Sequence, residues 1–180
     1  MNMKTVSIII PIYNSEKYLP DLFACLEKMT FVEGDEVLLI DNGSKDRTSE
    51  LCKEQVEKKN AYKYLYYAEK ADSYAARNFG VKNATGEILV FTDSDCKPTS
   101  KWLDMIRTNI QFGTFIAGNV LLEIVDNSVW ECFDSITHLS QTKNNIEEGC
   151  VATANMSVLK DDFINKVGYF EERFAGGDFE

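Results

Sequence analysis

Apolar and polar positions alternate between two periods along the chain. Val6-Ser-Ile-Ile-Ile-Pro-Ile12 is a β-branched run with no helical period, closed by Tyr13-Asn14-Ser15. It predicts a buried strand running into a turn, with Pro11 near its end. Leu19, Leu22, Phe23, Leu26 and Met29 then recur at helical spacing, with Ser15 predicted to cap a first turn and Pro20 to open the main helix. Glu36–Ile40 repeats the strand signal, ending at Asp41, and Thr48, Leu51, Cys52, Gln55 and Val56 fall on one helical face. Lys63–Tyr67 predicts a third strand and Tyr74–Asn83 an alanine-rich helix that Gly86 stops. Glu87–Thr92 is a fourth strand.

Beyond Asp93-Ser-Asp95, Pro98 and Ser100 lead into a helix carrying Trp102, Leu103, Ile106 and Ile110 inward. Thr114–Ile124 reads as extended, Ser128–Thr142 as helical, Val151–Val158 as a strand and Lys160–Lys166 as a short helix. Strands alternating with helices predict an α/β fold, a mostly parallel central sheet flanked by helices. Ligands of such sheets bind beyond the carboxyl ends of the strands. Tyr13-Asn14, Asp41-Asn-Gly-Ser44 and Asp93-Ser-Asp95 follow strands one, two and four, so polar groups collect where a ligand belongs.

Composition narrows the chemistry. With 180 residues there is room for one domain, and 44% hydrophobic with 27% charged residues is ordinary for a folded one. Lys and Arg number 19 against 29 Asp and Glu, a net charge of −10, which argues against nucleic-acid partners. Five cysteines without a C-x-x-C pair point to a reducing cytoplasm rather than a disulfide scaffold. No apolar run approaches the ~18 residues of a transmembrane helix. The one histidine, His138, leaves catalysis to carboxylates, and the usual dinucleotide, P-loop and hydrolase motifs are absent.

Asp93 and Asp95, two residues apart at a strand end, can share one hard cation such as Mn²⁺ or Mg²⁺. An ion held by only two carboxylates keeps open positions for phosphate oxygens; a solvated acidic turn is the bland alternative. Asp41, after a strand and before a helix, can accept a hydrogen bond from a nucleobase N–H, while Asp46 or Thr48 suits the helix cap. Arg77 reads equally as a surface salt bridge and as a phosphate grip. Asn155 and the terminal Phe174-Ala-Gly-Gly-Asp-Phe-Glu180 are weaker signals, and His138 reads as a packed or solvent-facing helical residue.

In order and spacing, Pro11-Ile-Tyr-Asn14, Asp41-Asn-Gly-Ser-x-Asp46, Ala76-Arg-Asn-x-Gly80, Asp93-Ser-Asp95 and Gly176-Gly-Asp178 resemble the family-2 glycosyltransferases over nearly the whole chain. The resemblance implies a Rossmann-like GT-A nucleotide-diphospho-sugar transferase fold in one domain, with a nucleotide-binding half over 1–98 and an incomplete acceptor-side half over 99–180. It implies inverting transfer of a sugar from a nucleotide-diphosphate donor, a UDP-sugar first, to a hydroxyl of a saccharide or lipid-linked saccharide at the inner face of the membrane.

Carried over residue by residue, Pro11, Tyr13 and Asn14 line the nucleotide pocket and Asp41 resembles the uracil-binding acid. Arg77 lies beside the donor, Asp93 near ribose or metal, and Asp95 on the metal. Asp178 resembles the general base, with Glu180 as its substitute because the usual Glu-Asp pair is here Gly-Gly-Asp-x-Glu. Asn155 falls on the acceptor side. The chain stops at Glu180, ahead of the family's Q-x-x-R-W-type segment, which predicts a truncated piece. A non-catalytic nucleotide-sugar-binding module is the alternative reading.

Overall fold

A computed structural model describes residues 3–69, 72–123 and 151–172. Four βα units come first: β1 (Val6–Ile12), α1 (Leu19–Leu26), β2 (Glu36–Asp41), α2 (Thr48–Lys58), β3 (Tyr62–Tyr66), α3 (Ser73–Asn83), β4 (Ile88–Phe91) and α4 (Trp102–Asn109). A short β5 (Phe115–Ala117) and, after a 3₁₀ turn, β6 (Met156–Leu159) complete one sheet. The order is β3-β2-β1-β4-β6-β5; β1 to β4 are parallel, while β6 runs antiparallel to both β4 and β5. The chain builds outward from β1 to β3, then returns to place β4 on the other side of β1. The topological switch therefore lies between β1 and β4.

The unbroken apolar runs are explained by burial on both faces. Ile8, Ile10 and Ile12, with Val37, Leu39 and Val90, pack against Leu19, Leu22 and Leu26 of α1, Cys52 of α2 and Leu103 and Ile106 of α4. Their sequence neighbours Ile9, Leu38, Ile40, Leu89 and Phe91 face the other way, onto Ala76 and Val81 of α3 and Phe163. Pro11 fits a central strand because its missing N–H faces the side that β4 has already left: pairing with β4 ends at Ile9, while Pro11 stays in register with Ile40 of β2.

Two buried carboxylates tie the amino end of the sheet. Glu36 accepts from Ser7 Oγ at 2.6 Å, from the Thr85 N–H at 2.5 Å and from Lys63 Nζ at 2.5 Å. Burial opposes its charge, but those bonds outweigh it and hold the carboxyl at about 2, below its ordinary 4.5. Asp35 accepts from the Val6 N–H at 2.9 Å and pairs with the buried guanidinium of Arg107, fastening α4 to the sheet.

Several expected element ends differ. Ser15 and Ser100 do not cap with their side chains: α1 starts at Leu19 and α4 at Trp102, each without a side-chain cap bond. Gly86 does not stop α3, whose C-cap is an extended Ala84. A Cβ at Gly86 would lie 2.6 Å from the Ser7 backbone nitrogen, so that glycine serves close chain approach. The strand expected over Val151–Val158 starts only at Met156, and of the expected extended stretch Thr114–Ile124 the described residues, 114–123, pair only over Phe115–Ala117. Lys160–Asp162 is helical and runs into a π turn, Phe163–Val167. The expected helix Ser128–Thr142, with His138, lies outside the described residues. Among those described, no helix is long and apolar enough to cross a membrane, and Cys25, Cys52 and Cys96 are free thiols.

Candidate active site at the carboxyl edge of the sheet

Register brings the predicted loops to one edge, since Ile12 pairs with Asp41 and Ile9 with Phe91. The loops after β1 and β2 are then sewn together. The Asn14 N–H donates to Ser44 Oγ at 3.0 Å, and Asn14 Oδ1 accepts from the Lys45 N–H at 2.8 Å. The Ser15 N–H donates to Thr48 Oγ1 at 2.7 Å. Asn14 is left-handed at φ 47°, a conformation asparagine tolerates better than most residues. Asn14 therefore braces the loop, and Tyr13 beside it projects an aromatic ring that is 55% exposed. The α2 N-cap is Arg47, without a side-chain cap bond, rather than Asp46 or Thr48; Asp46, one residue ahead, accepts from the Thr48 N–H at 3.0 Å and the Glu16 N–H at 3.1 Å, and these bonds lower its pKa against the opposing effect of burial.

Asp41 is wholly buried. One carboxylate oxygen accepts from the Ser44 N–H at 2.8 Å, closing a turn in which Gly43 sits at φ 87°, and the other accepts from Tyr64 Oη at 2.6 Å. Asp41, read from the sequence as an acceptor for a nucleobase N–H, has both carboxylate oxygens engaged within the chain, one by the turn and one by Tyr64. The Ser49 hydroxyl lies 3.0 Å from Tyr64 Oη and can donate to it, while burial together with Asp41 pushes the Tyr64 hydroxyl up to about 12. Nothing in the linear pattern singled out Tyr64, because its partner is 23 positions away.

Arg77 is neither on the surface nor turned outward. It is buried on α3, and its guanidinium donates to Asp93 Oδ1 at 2.6 Å. The two aspartates after β4 are therefore unlike: Asp93 is neutralised from below, while Asp95 is exposed. α3 brings this arginine, 16 positions away in sequence, beneath the loop. The intervening Ser94 shares a hydrogen bond with Ser15 at 2.8 Å, joining the β4 and β1 loops across the topological switch. No three His, Cys, Asp or Glu side chains cluster as a closed metal site among the described residues. Two hard carboxylates on an open edge fit an ion that is completed by a ligand's phosphate oxygens.

Asn155 lies at the foot of β6, where its Oδ1 accepts from Trp102 Nε1 at 2.9 Å and its Nδ2 donates to the Asn119 carbonyl at 3.1 Å. It joins α4 to the β5 side. Asp178 and Glu180 lie outside the described residues.

Residues 7–146 match the family description Glycosyl transferase family 2. The chain belongs to that family. Glycosyltransferase AglE of Haloferax volcanii is 33% identical over 179 residues, 96% of this chain and 58% of that protein. Staphylococcus aureus TarS 1–349 superposes with a TM-score of 0.67 at 22% identity, over 97% of this chain and 52% of that one; it has also been solved with UDP-GlcNAc. The Pyrobaculum calidifontis mannosyltransferase PcManGT, solved with GDP-Man and Mn²⁺, gives a TM-score of 0.67 at 16% identity, over 96% of this chain and 48% of that one. The chain thus has the GT-A fold of family-2 glycosyltransferases and spans about half the length of these relatives.

Proposed function

We propose that this chain is the amino-terminal part of the catalytic domain of an inverting glycosyltransferase that uses a UDP-sugar. The observation that carries the reading is the convergence, at the topological switch of a family-2 chain, of an exposed aromatic ring, Tyr13, with the Asp93–Asp95 loop. The base stacks on Tyr13 above the turn that Asp41 braces, and the ribose and diphosphate extend toward Asp93 and Asp95. A divalent ion held by Asp95 and Asp93, Mn²⁺ or Mg²⁺, would supply positive charge to stabilise the leaving diphosphate.

Asp178, or Glu180 in its place, takes the proton of an acceptor hydroxyl. The new C–O bond forms at the anomeric carbon opposite the departing diphosphate, which leaves with the bonding pair, so configuration inverts. Asn155 belongs to the acceptor side, where a saccharide or lipid-linked saccharide docks. PcManGT with GDP-Man and Mn²⁺, and TarS with UDP-GlcNAc, support a nucleotide-sugar donor. The test is a thermal-shift screen of UDP-, GDP- and CDP-sugars with and without Mn²⁺, since a ligand selective for the folded state raises the melting temperature. A UDP-sugar with Mn²⁺ is expected to give the largest shift; equal shifts for all three bases, or none, overturn the reading.

A further inference from the structure

The β1–β4 ladder stops at Ile9, whose carbonyl accepts from the Thr92 N–H at 3.3 Å. Two residues on, Pro11 has no N–H to offer a neighbouring strand. The loops that follow, Tyr13–Ser15 and Asp93–Asp95, are rejoined by side chains: Ser15 Oγ donates to the Tyr13 carbonyl at 3.2 Å and lies 2.8 Å from Ser94 Oγ. A hydroxyl carries one proton. That of Ser15 is committed to Tyr13, so Ser94 is the donor to Ser15, and a directed relay runs from Ser94 through Ser15 to the backbone of Tyr13. Its middle member is fixed in place, because Ser15 is buried and its N–H donates at 2.7 Å to Thr48 Oγ1, wholly buried at the start of α2.

We infer that Ser94 and Ser15 are positioning residues that couple the two halves of the donor site, an inference that rests on the reading of Tyr13 as the platform for the base and Asp95 as the anchor of the ion. Ser94 stands between the two aspartates, and its neighbour Asp93 is held from the α3 side by Arg77 at 2.6 Å. The loop after β4 therefore has two tethers, a charged one to α3 and a neutral one to the β1 loop across the topological switch. The first fixes Asp93; the second sets how far Asp95 stands from the Tyr13 ring. A nucleoside diphosphate spans that separation, its base on one loop and its phosphates on the other. Holding the separation fixed lets both ends bind without the loops first being brought together.

The test uses the full-length polypeptide and calorimetric Kd values for UDP, each measured with Mn²⁺ and with chelator. Ser94→Ala removes the donor of the relay and leaves the Ser15–Tyr13 bond in place. The expected result is a fall of about 3–10-fold in the factor by which Mn²⁺ tightens UDP, the scale of one neutral hydrogen bond, with an unchanged Kd in chelator. Ser94→Thr keeps the hydroxyl and keeps the factor. Ser15→Ala lowers the factor as Ser94→Ala does, and the double change lowers it no further, because both remove the same link. An unchanged factor in Ser94→Ala overturns the inference, as does an equal loss of affinity with and without Mn²⁺, or a double change that multiplies the two single effects.

Asp95→Asn is measured alongside. If it abolishes the Mn²⁺ effect while Ser94→Ala leaves that effect intact, the coupling alone falls and Asp95 keeps its role. If the unsubstituted protein shows no Mn²⁺ effect on UDP affinity, the reading of the ion site falls and the coupling falls with it.

Discussion

The guanidinium of Arg77 and the carboxylate of Asp93 meet at 2.6 Å beneath the carboxyl edge of the sheet, the arginine side chain 6% exposed and the aspartate 33%. A helix on one face of the sheet thereby sets the posture of a loop leaving a strand at its centre. A charge-assisted bond of this kind contributes about 2 kcal/mol when one partner is buried.

Arg77→Lys keeps the charge and loses the planar fork. We expect a loss of about 2 kcal/mol in stability, measured by denaturant unfolding, together with weaker UDP binding. Weaker binding at unchanged stability would instead make Arg77 a direct phosphate ligand and sink the bracing role.

Asp95→Asn should leave the fold intact, because the side chain is exposed, and remove the part of UDP affinity that depends on Mn²⁺. Calorimetric titrations with and without chelator check this. Persistent Mn²⁺-dependent affinity in the variant rules Asp95 out as the ion's anchor.

Glu36 gives the fold an acid-sensitive joint. Its carboxyl lies at about 2 when folded and 4.5 ordinarily, so the unfolded chain binds more protons between those values. The stabilisation is fully present above about pH 4.5 and is lost as pH falls toward 2; at neutral pH it is at most about 3 kcal/mol. Glu36→Gln should lower neutral-pH stability and flatten the acid limb of the unfolding curve. An unchanged pH profile contradicts the assignment.

Gly80 lets α3 sit close on the sheet: a Cβ there would lie 2.5 Å from Ile9 Cγ2. Gly80→Ala improves helix propensity by up to about 1 kcal/mol, but overpacking in a filled core costs about 1–3 kcal/mol. Ile9 and Ile40 are fully buried and have nowhere to retreat, so the expected net effect is a loss of about 1–2 kcal/mol. A thermal melt shifted upward refutes it.

Local pattern was enough for the first half of the fold. The β-branched run from Val6 to Ile12 and the helical spacing from Thr48 to Val56 reappear at those positions because both are settled by period and by short-range turn chemistry. The amino end of β6 escaped the same reasoning. Ala152–Asn155 is apolar enough to read as strand, but Asn155 is held in a turn by Trp102 and Asn119, contacts 53 and 36 positions distant.

The sequence by itself determined which residues gather at the edge of the sheet, because strand ends and their polar turns are written locally as Tyr13-Asn14, Asp41–Ser44 and Asp93–Asp95. Only the tertiary structure decided what each one faces. Asp41 became a buried brace under Tyr64, and Arg77 was turned inward onto Asp93. Asn78 was committed to a segment 92 residues away. Burial and hydrogen-bond partnership depend on which elements become neighbours, and no local period carries that information.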